Sequence, residues 1–278
     1  MTASSLPRAS LRAAAFGASP EAHPLASPAT AEEHWLRAVS LGGQGRYAAA
    51  QADLELAARG RPGLARLSLI HSTGASFLRQ LGWRQRAARL DGRALSLAVG
   101  ARAGIAPGEP GDSGWVGHCD ALTGLAADAL GQGRLALGHR LLGRCYDELL
   151  APEPGGQLWR LRIRWNWVAA ELALVSADPA TARGYAETAA SQAADCPSVR
   201  HQVKSALIGA AVAAASGDQE RALADVTLVS AACAKHGLLP LGWAAAMLEA
   251  GLRPGAVAAQ AVDVRARIIR RRGGLLRL

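Results

Sequence analysis

Five residues in the middle of the chain have the types and spacing to bind an anion. Arg160, Arg164 and Trp167 follow one another at i, i+4 and i+7, the spacing that puts side chains on one face of a helix. Forty residues on, Arg200 and Lys204 repeat the two cationic positions, and Leu207 stands where Trp167 did. Guanidinium groups donate in a planar fork that matches a carboxylate or phosphate. Four cations beside an indole therefore suit an acidic or phosphorylated peptide. The competing reading is a solvated basic face balanced by the nearby acids Asp120 and Glu171, since charge runs usually face solvent.

A second cationic group lies at the C-terminal end. The net charge is +9, and most of it sits in 264–278, where Arg265, Arg267, Arg270, Arg271, Arg272 and Arg277 occur without an acid. The expectation for Arg267, Arg270, Arg271 and Arg272 is contact with nucleic-acid phosphates or another anionic surface. A basic tail with no dedicated ligand is the alternative. Because the body is close to neutral, a nucleic-acid-binding surface spread over the whole domain is not expected.

Catalysis has little support. Ser113-Gly114 near His118 lacks a nucleophile-elbow context. Adjacent helical positions aim His118, Cys119 and Asp120 in different directions. The remaining histidines are scattered, and no phosphate-loop, dinucleotide-fold, HExxH or paired-carboxylate pattern occurs. Cys119, Cys145, Cys196 and Cys233 show neither zinc nor disulfide-framework spacing. The expectation is a non-enzymatic protein with no cofactor and no metal. No apolar run reaches the length of a membrane span, and a cytoplasmic placement is expected.

These side chains need elements to hold them. Ala, Leu and Arg dominate the chain and all favour helix. The turn signature Gly45-Arg46-Tyr47 recurs as Gly82-Trp83-Arg84, Gly133-Arg134-Leu135, Ala177-Asp178-Pro179, Gly217-Asp218-Gln219 and Gly251-Leu252-Arg253. Apolar stretches of helical period flank each one. A helical hairpin cannot bury its apolar face alone, so such units stack. One stretch, Leu158 to Trp165, alternates like a strand, but a strand would find no partner here, and helix is expected.

The segments Gly217-Asp218-x-x-x-Ala222-Leu223 and Gly45-x-Tyr47-x-x-Ala50 resemble the turn and second helix of tetratricopeptide (TPR) repeats. The resemblance covers about residues 32–260. Turn spacings of 37, 51, 44, 40 and 34 depart from the family's regular 34, and Ala or Leu replaces many of its aromatic packing residues. The resemblance implies an all-α, right-handed α-solenoid of five to six antiparallel helix pairs, with first helices lining a concave face. It also implies a scaffold that binds a protein or peptide there. Residues 1–30, with Pro7, Pro20, Pro24 and Pro28, read as a disordered tail. Residues 31–263 read as the repeat domain, with a long Gly- and Pro-rich loop at 100–114, and 264–278 as a basic tail.

Overall fold

The computed structural model describes residues 5–104, 114–150 and 158–277. Among these there are thirteen helices and no strand. They are α1 (Ser5–Phe16), α2 (Ala31–Gly43), α3 (Tyr47–Arg59), α4 (Leu64–Gln80), α5 (Arg84–Ala103), α6 (Trp115–Leu130) and α7 (Leu135–Leu149). Then follow α8 (Leu158–Val175), α9 (Pro179–Ala194), α10 (Val199–Ala215), α11 (Gln219–Lys235), α12 (Leu239–Leu252) and α13 (Ala256–Arg271). The alternating stretch from Leu158 is helical, as expected. Residues 105–113 of the long loop lie outside the described residues.

The turns form where the sequence puts them, for a backbone reason. Gly45, Gly82, Gly133 and Gly217 all have positive φ, between 72° and 89°, a region open to glycine at little cost. At the equivalent place Ala177 is forced to φ 59°. Ala177→Gly is therefore expected to raise stability by about 1 kcal/mol, seen as a higher urea midpoint. Side-chain caps mark several helix starts. Thr30 and Glu33 form a capping box on α2, with Glu33 N–H donating to Thr30 Oγ1 at 3.2 Å and Thr30 N–H to Glu33 Oε2 at 3.1 Å. Asp178 caps α9 through the Thr181 N–H at 3.0 Å, with Pro179 in the first turn. The last expected turn moves: α12 continues through Gly251 to Leu252.

Each helix packs on the next, and the even-numbered helices α2, α4, α6, α8, α10 and α12 also touch one another in succession. Neighbours in this inner row run parallel. Trp35 Nε1 donates to Thr73 Oγ1 while Gly42 abuts Phe77, so α2 and α4 advance together. Gly117 abuts Ser68 while Arg79 meets Asp128, so α4 and α6 do too. Ala carries much of the packing: Ala50, Ala87, Ala94, Ala126, Ala170, Ala182, Ala210 and Ala222 are fully buried. Small side chains let helix axes approach closely.

The row curls back until its far end meets its beginning. Helix α12 contacts α2, Leu239 packs on Gly45, and Trp243, Ala266 and Ile269 join Tyr47, Leu54 and Phe77 in one apolar cluster. The inner face is thus enclosed by the chain's own first and last hairpins.

The described residues of both expected tails, 5–30 and 264–277, are packed on the body of the fold. Residues 5–16 form α1, whose Leu11, Ala14, Ala15 and Phe16 are buried; Pro7 falls in the first turn, where its missing N–H has no intrahelical acceptor to lose. Residues 20–22 are tied down as well, because Gln44 Nε2 donates to the Pro20 and Ala22 carbonyls at 2.9 and 3.0 Å. The C-terminal stretch is helical to Arg271 and then docks in extended form. Ala48 N–H donates to Arg272 O at 3.1 Å, and Arg277 N–H to Leu81 O at 2.8 Å.

Candidate functional site

The cations singled out in the sequence do come together, on the inner faces of α8 and α10. Arg160 and Arg164 project from one side of α8 towards Asp120 of α6. Arg160 grips that carboxylate with both prongs, Nη1 to Oδ1 at 3.0 Å and Nη2 to Oδ2 at 2.6 Å. Arg164 Nη1 also donates to Oδ1. Asp120 and Arg160 are both buried. Burial pushes the Asp120 carboxyl up, and the two guanidinium groups more than offset it, so its pKa lies below the ordinary value.

The next turn of α8 is also engaged. Lys204 Nζ donates to Glu171 Oε1 at 3.0 Å and stands 5.9 Å above the Trp167 ring. Trp167 Nε1 donates to Ser205 Oγ at 2.8 Å, and its ring stacks on His201 at 5.3 Å. Asp120 and Glu171 do balance Arg160, Arg164 and Lys204, but Arg160 and Asp120 are buried and not part of a solvated face.

Arg200 differs. Its Nη1 donates to the Val39 carbonyl at 3.1 Å, and no described carboxylate lies within ion-pair distance of it. Burial, then the charges of Arg164 and Arg160, press its pKa down to about 10. His201 is held neutral for the same reasons: burial first, then Arg200, Arg160 and Arg164.

What the sequence did not disclose is the group that fills this face. Phe16, at the end of α1, lies 5.5 Å from the Arg160 guanidinium and 5.9 Å from that of Arg200. Trp35 of α2 flanks it at 5.6 Å. The Val199 N–H donates to the Gly17 carbonyl at 3.2 Å, and Glu21 pairs with His236 Nδ1 at 3.0 Å. Residues 16–22 thus run across the start of α10, the turn between α11 and α12, and the end of α2. One sequence signal was available: Leu11, Ala14 and Ala15 form a short apolar stripe ending in one of only two phenylalanines.

A second buried charge cluster lies between α4, α5 and α6. Arg79 bridges Asp91 and Asp128, meeting Asp128 Oδ1 at 2.8 Å, and Ser72 Oγ donates to Asp91 Oδ1 at 2.8 Å. Burial raises the Asp91 pKa to about 7, with Asp128 acting in the same direction and Arg79 against it. A pKa raised in the folded state stabilises fully only below the unfolded value. That stability is lost as pH rises through about 7. Between pH 5 and pH 7 the unfolded chain has released this proton while the folded chain keeps it. Wild-type stability should then fall by up to about 1.4 kcal/mol per pH unit relative to Asp91→Asn. Urea titrations of both proteins at pH 5 and pH 7.5 measure the difference. The opposing acid sensitivity of His201 is common to both proteins and cancels.

The second cationic group is split by the fold. Arg267, Arg270 and Arg271 are exposed on α13, whereas Arg272 turns inward and donates from Nη1 to Gln44 O at 2.8 Å. All four cysteines are free thiols and buried. Among the described residues no group of three or more His, Cys, Asp or Glu side chains is placed to hold a metal ion, and no helix is long and apolar enough to cross a membrane.

No protein-family model matches the chain, and no curated protein matches it.

Proposed function

We propose that the protein is a non-enzymatic, cytoplasmic scaffold of TPR-like helical hairpins, α2/α3 to α12/α13, stacked with right-handed superhelical sense, whose inner face grips a peptide segment. The observation that carries this reading is the seating of residues 16–22. An aromatic side chain lies between two guanidinium groups, its neighbouring carbonyl accepts an inner-helix N–H, and an acid five residues on pairs with a histidine. That is how a groove holds a short segment of foreign chain: an aromatic anchor supplies affinity, while backbone and charged contacts fix direction. In the folded chain the segment is its own. A partner offering an aromatic residue and a nearby carboxylate would compete for Arg160, Arg200 and His236.

The test uses the full chain with a protease site introduced within residues 24–29, several of which are exposed. After cleavage, a fluorescent synthetic peptide of residues 5–23 is added in excess. Exchange into the complex, followed by anisotropy and reduced by Phe16→Ala in the peptide, is expected. A nicked protein that retains its own fragment, admits no peptide at any concentration and melts as before would show that face to be ordinary core.

A further inference from the structure

Eight arginines from four separate stretches of sequence are gathered on one part of the surface, away from the inner face. Helices α2, α4 and α6 run parallel, so the turns that follow them lie side by side. These turns carry Arg46, then Arg84 and Arg86, then Arg134. Arg84 reaches across to the α6–α7 turn, its guanidinium packing over Gly131. The docked C-terminal stretch adds the rest. Arg277 N–H is bonded to Leu81 O, and the Trp83 ring is covered by Arg86 at 4.4 Å and Arg277 at 5.3 Å. Arg272 is bonded to Gln44 O and lies near enough to Arg46 that, after burial, this charge helps lower its pKa. Arg270 and Arg271, in the last turn of α13 immediately before Arg272, complete the set, and the acid nearest them on that helix, Asp263, lies beside Arg267 and Arg270.

No Asp or Glu occurs in residues 44–48, 80–88, 130–137 or 264–277. None of the eight arginines is in an ion pair among the described residues. Arg84, Arg86, Arg134, Arg270, Arg271 and Arg277 are exposed. The corresponding turns after α8 and α10 are acidic instead, with Asp178 and Asp218. The asymmetry therefore belongs to this surface and not to an arginine-rich chain in general.

We infer that this surface binds the sugar–phosphate backbone of a nucleic-acid duplex, an interaction separate from the inner-face reading. Three neighbouring turns at helix-packing distances of 8–10 Å make a row roughly 20 Å long. A duplex presents about one charge per 1.7 Å of its axis, so a row of this length meets several phosphates at once. Arginine's planar fork pairs with phosphate through two hydrogen bonds, which a lysine cannot do. An anionic membrane suits the surface less well. Binding in the headgroup region needs a broad apolar face. Here Leu275 is the one strongly exposed large apolar side chain, and Trp83 is held under its two arginines with its indole N–H on Leu275 O. Contact is through backbone phosphates, so sequence preference is absent.

The experiment measures anisotropy of a labelled 20-base-pair DNA duplex of arbitrary sequence against the full chain from 50 to 200 mM NaCl, beside an RNA duplex of the same sequence. A plot of log K against log salt should have a slope of about −4, the value for four to five phosphates. The variant Arg84→Glu/Arg86→Glu/Arg134→Glu should weaken binding at 50 mM salt by more than about 100-fold. Single changes Arg84→Gln, Arg86→Gln and Arg134→Gln should each flatten the slope by about 0.9, a readout that holds even if the triple variant folds poorly. Arg183→Glu, exposed on α9, should change nothing. Absence of duplex binding at 50 mM salt, equal loss with Arg183→Glu, slopes unmoved by the single changes, or binding only to vesicles containing phosphatidylserine each overturns the inference. None of these results bears on peptide exchange at the inner face.

Discussion

Asp120→Ala is expected to lower stability by about 3–5 kcal/mol, the cost of breaking a buried ion pair from one side. The carboxylate accepts from Arg160 twice and from Arg164 once. Removing it leaves one buried guanidinium and one half-buried guanidinium side by side, with Arg200 already unpaired nearby. Like charges in a poorly solvated site repel, and Arg160 is buried away from bulk solvent. Among the described residues the Arg160 Nε has no hydrogen-bond partner, so that side chain gains nothing there in exchange. The compensating change is informative. Asp120→Ala combined with Arg160→Met should recover a large part of the loss, because the penalty is the stranded charge and not the missing bond. Chemical denaturation of the four proteins of this cycle gives the coupling directly. If the double variant is as unstable as the sum of the two single changes, Asp120 and Arg160 act independently and the account is wrong.

Phe16→Ala is the second large effect, expected at about 3 kcal/mol. The ring is buried among Trp35, His201, Arg160 and Arg200, side chains of three other helices. Its loss has a local signature that a general core cavity lacks. The amides of Gly17, Ser19 and Ala22, bonded to the Ala13 and Ser19 carbonyls in a segment docked on Val199, Gln44 and His236, should exchange with solvent far faster, while amides of α4 and α6 keep their protection. Leu122→Ala, a fully buried residue of α6, should instead lower protection across the molecule. Equal loss of protection in both variants would mean that the N-terminal segment has no independence from the rest of the fold.

The turns were the most legible part of the fold, because Gly45, Gly82, Gly133 and Gly217 answer to a local backbone requirement that one residue type meets. Helical period was legible for a similar reason, and it outweighed the misleading alternation of Leu158 to Trp165. The inner cations were legible because turn alignment superposes Arg160 on Arg200 and Arg164 on Lys204. Asp120, legible only as a nearby acid, is the counter-charge that Arg160 and Arg164 share. Other features depended on contacts distant in sequence. Nothing local announces that Leu239 will reach Gly45, or that Arg277 will reach Leu81. Helix α1 is obscured by the proline content of its segment, yet Pro7 lies in a first turn, and Pro20, Pro24 and Pro28 lie beyond the helix end. Arg79, Asp91 and Asp128 went unread because three charged residues on three different helices look like ordinary surface until packing buries them.

The junction of α12 and α13 with α2 and α3 has a consequence for how the molecule comes apart. An open row of hairpins unzips from its terminal members, each held by one neighbour only, and melts in a broad, staged fashion. Here the outermost hairpins brace each other through Trp243, Ile269, Tyr47 and Phe77, so neither can peel away without exposing the other. Thermal melting should be sharp and concerted, more like a small globular enzyme than a string of beads.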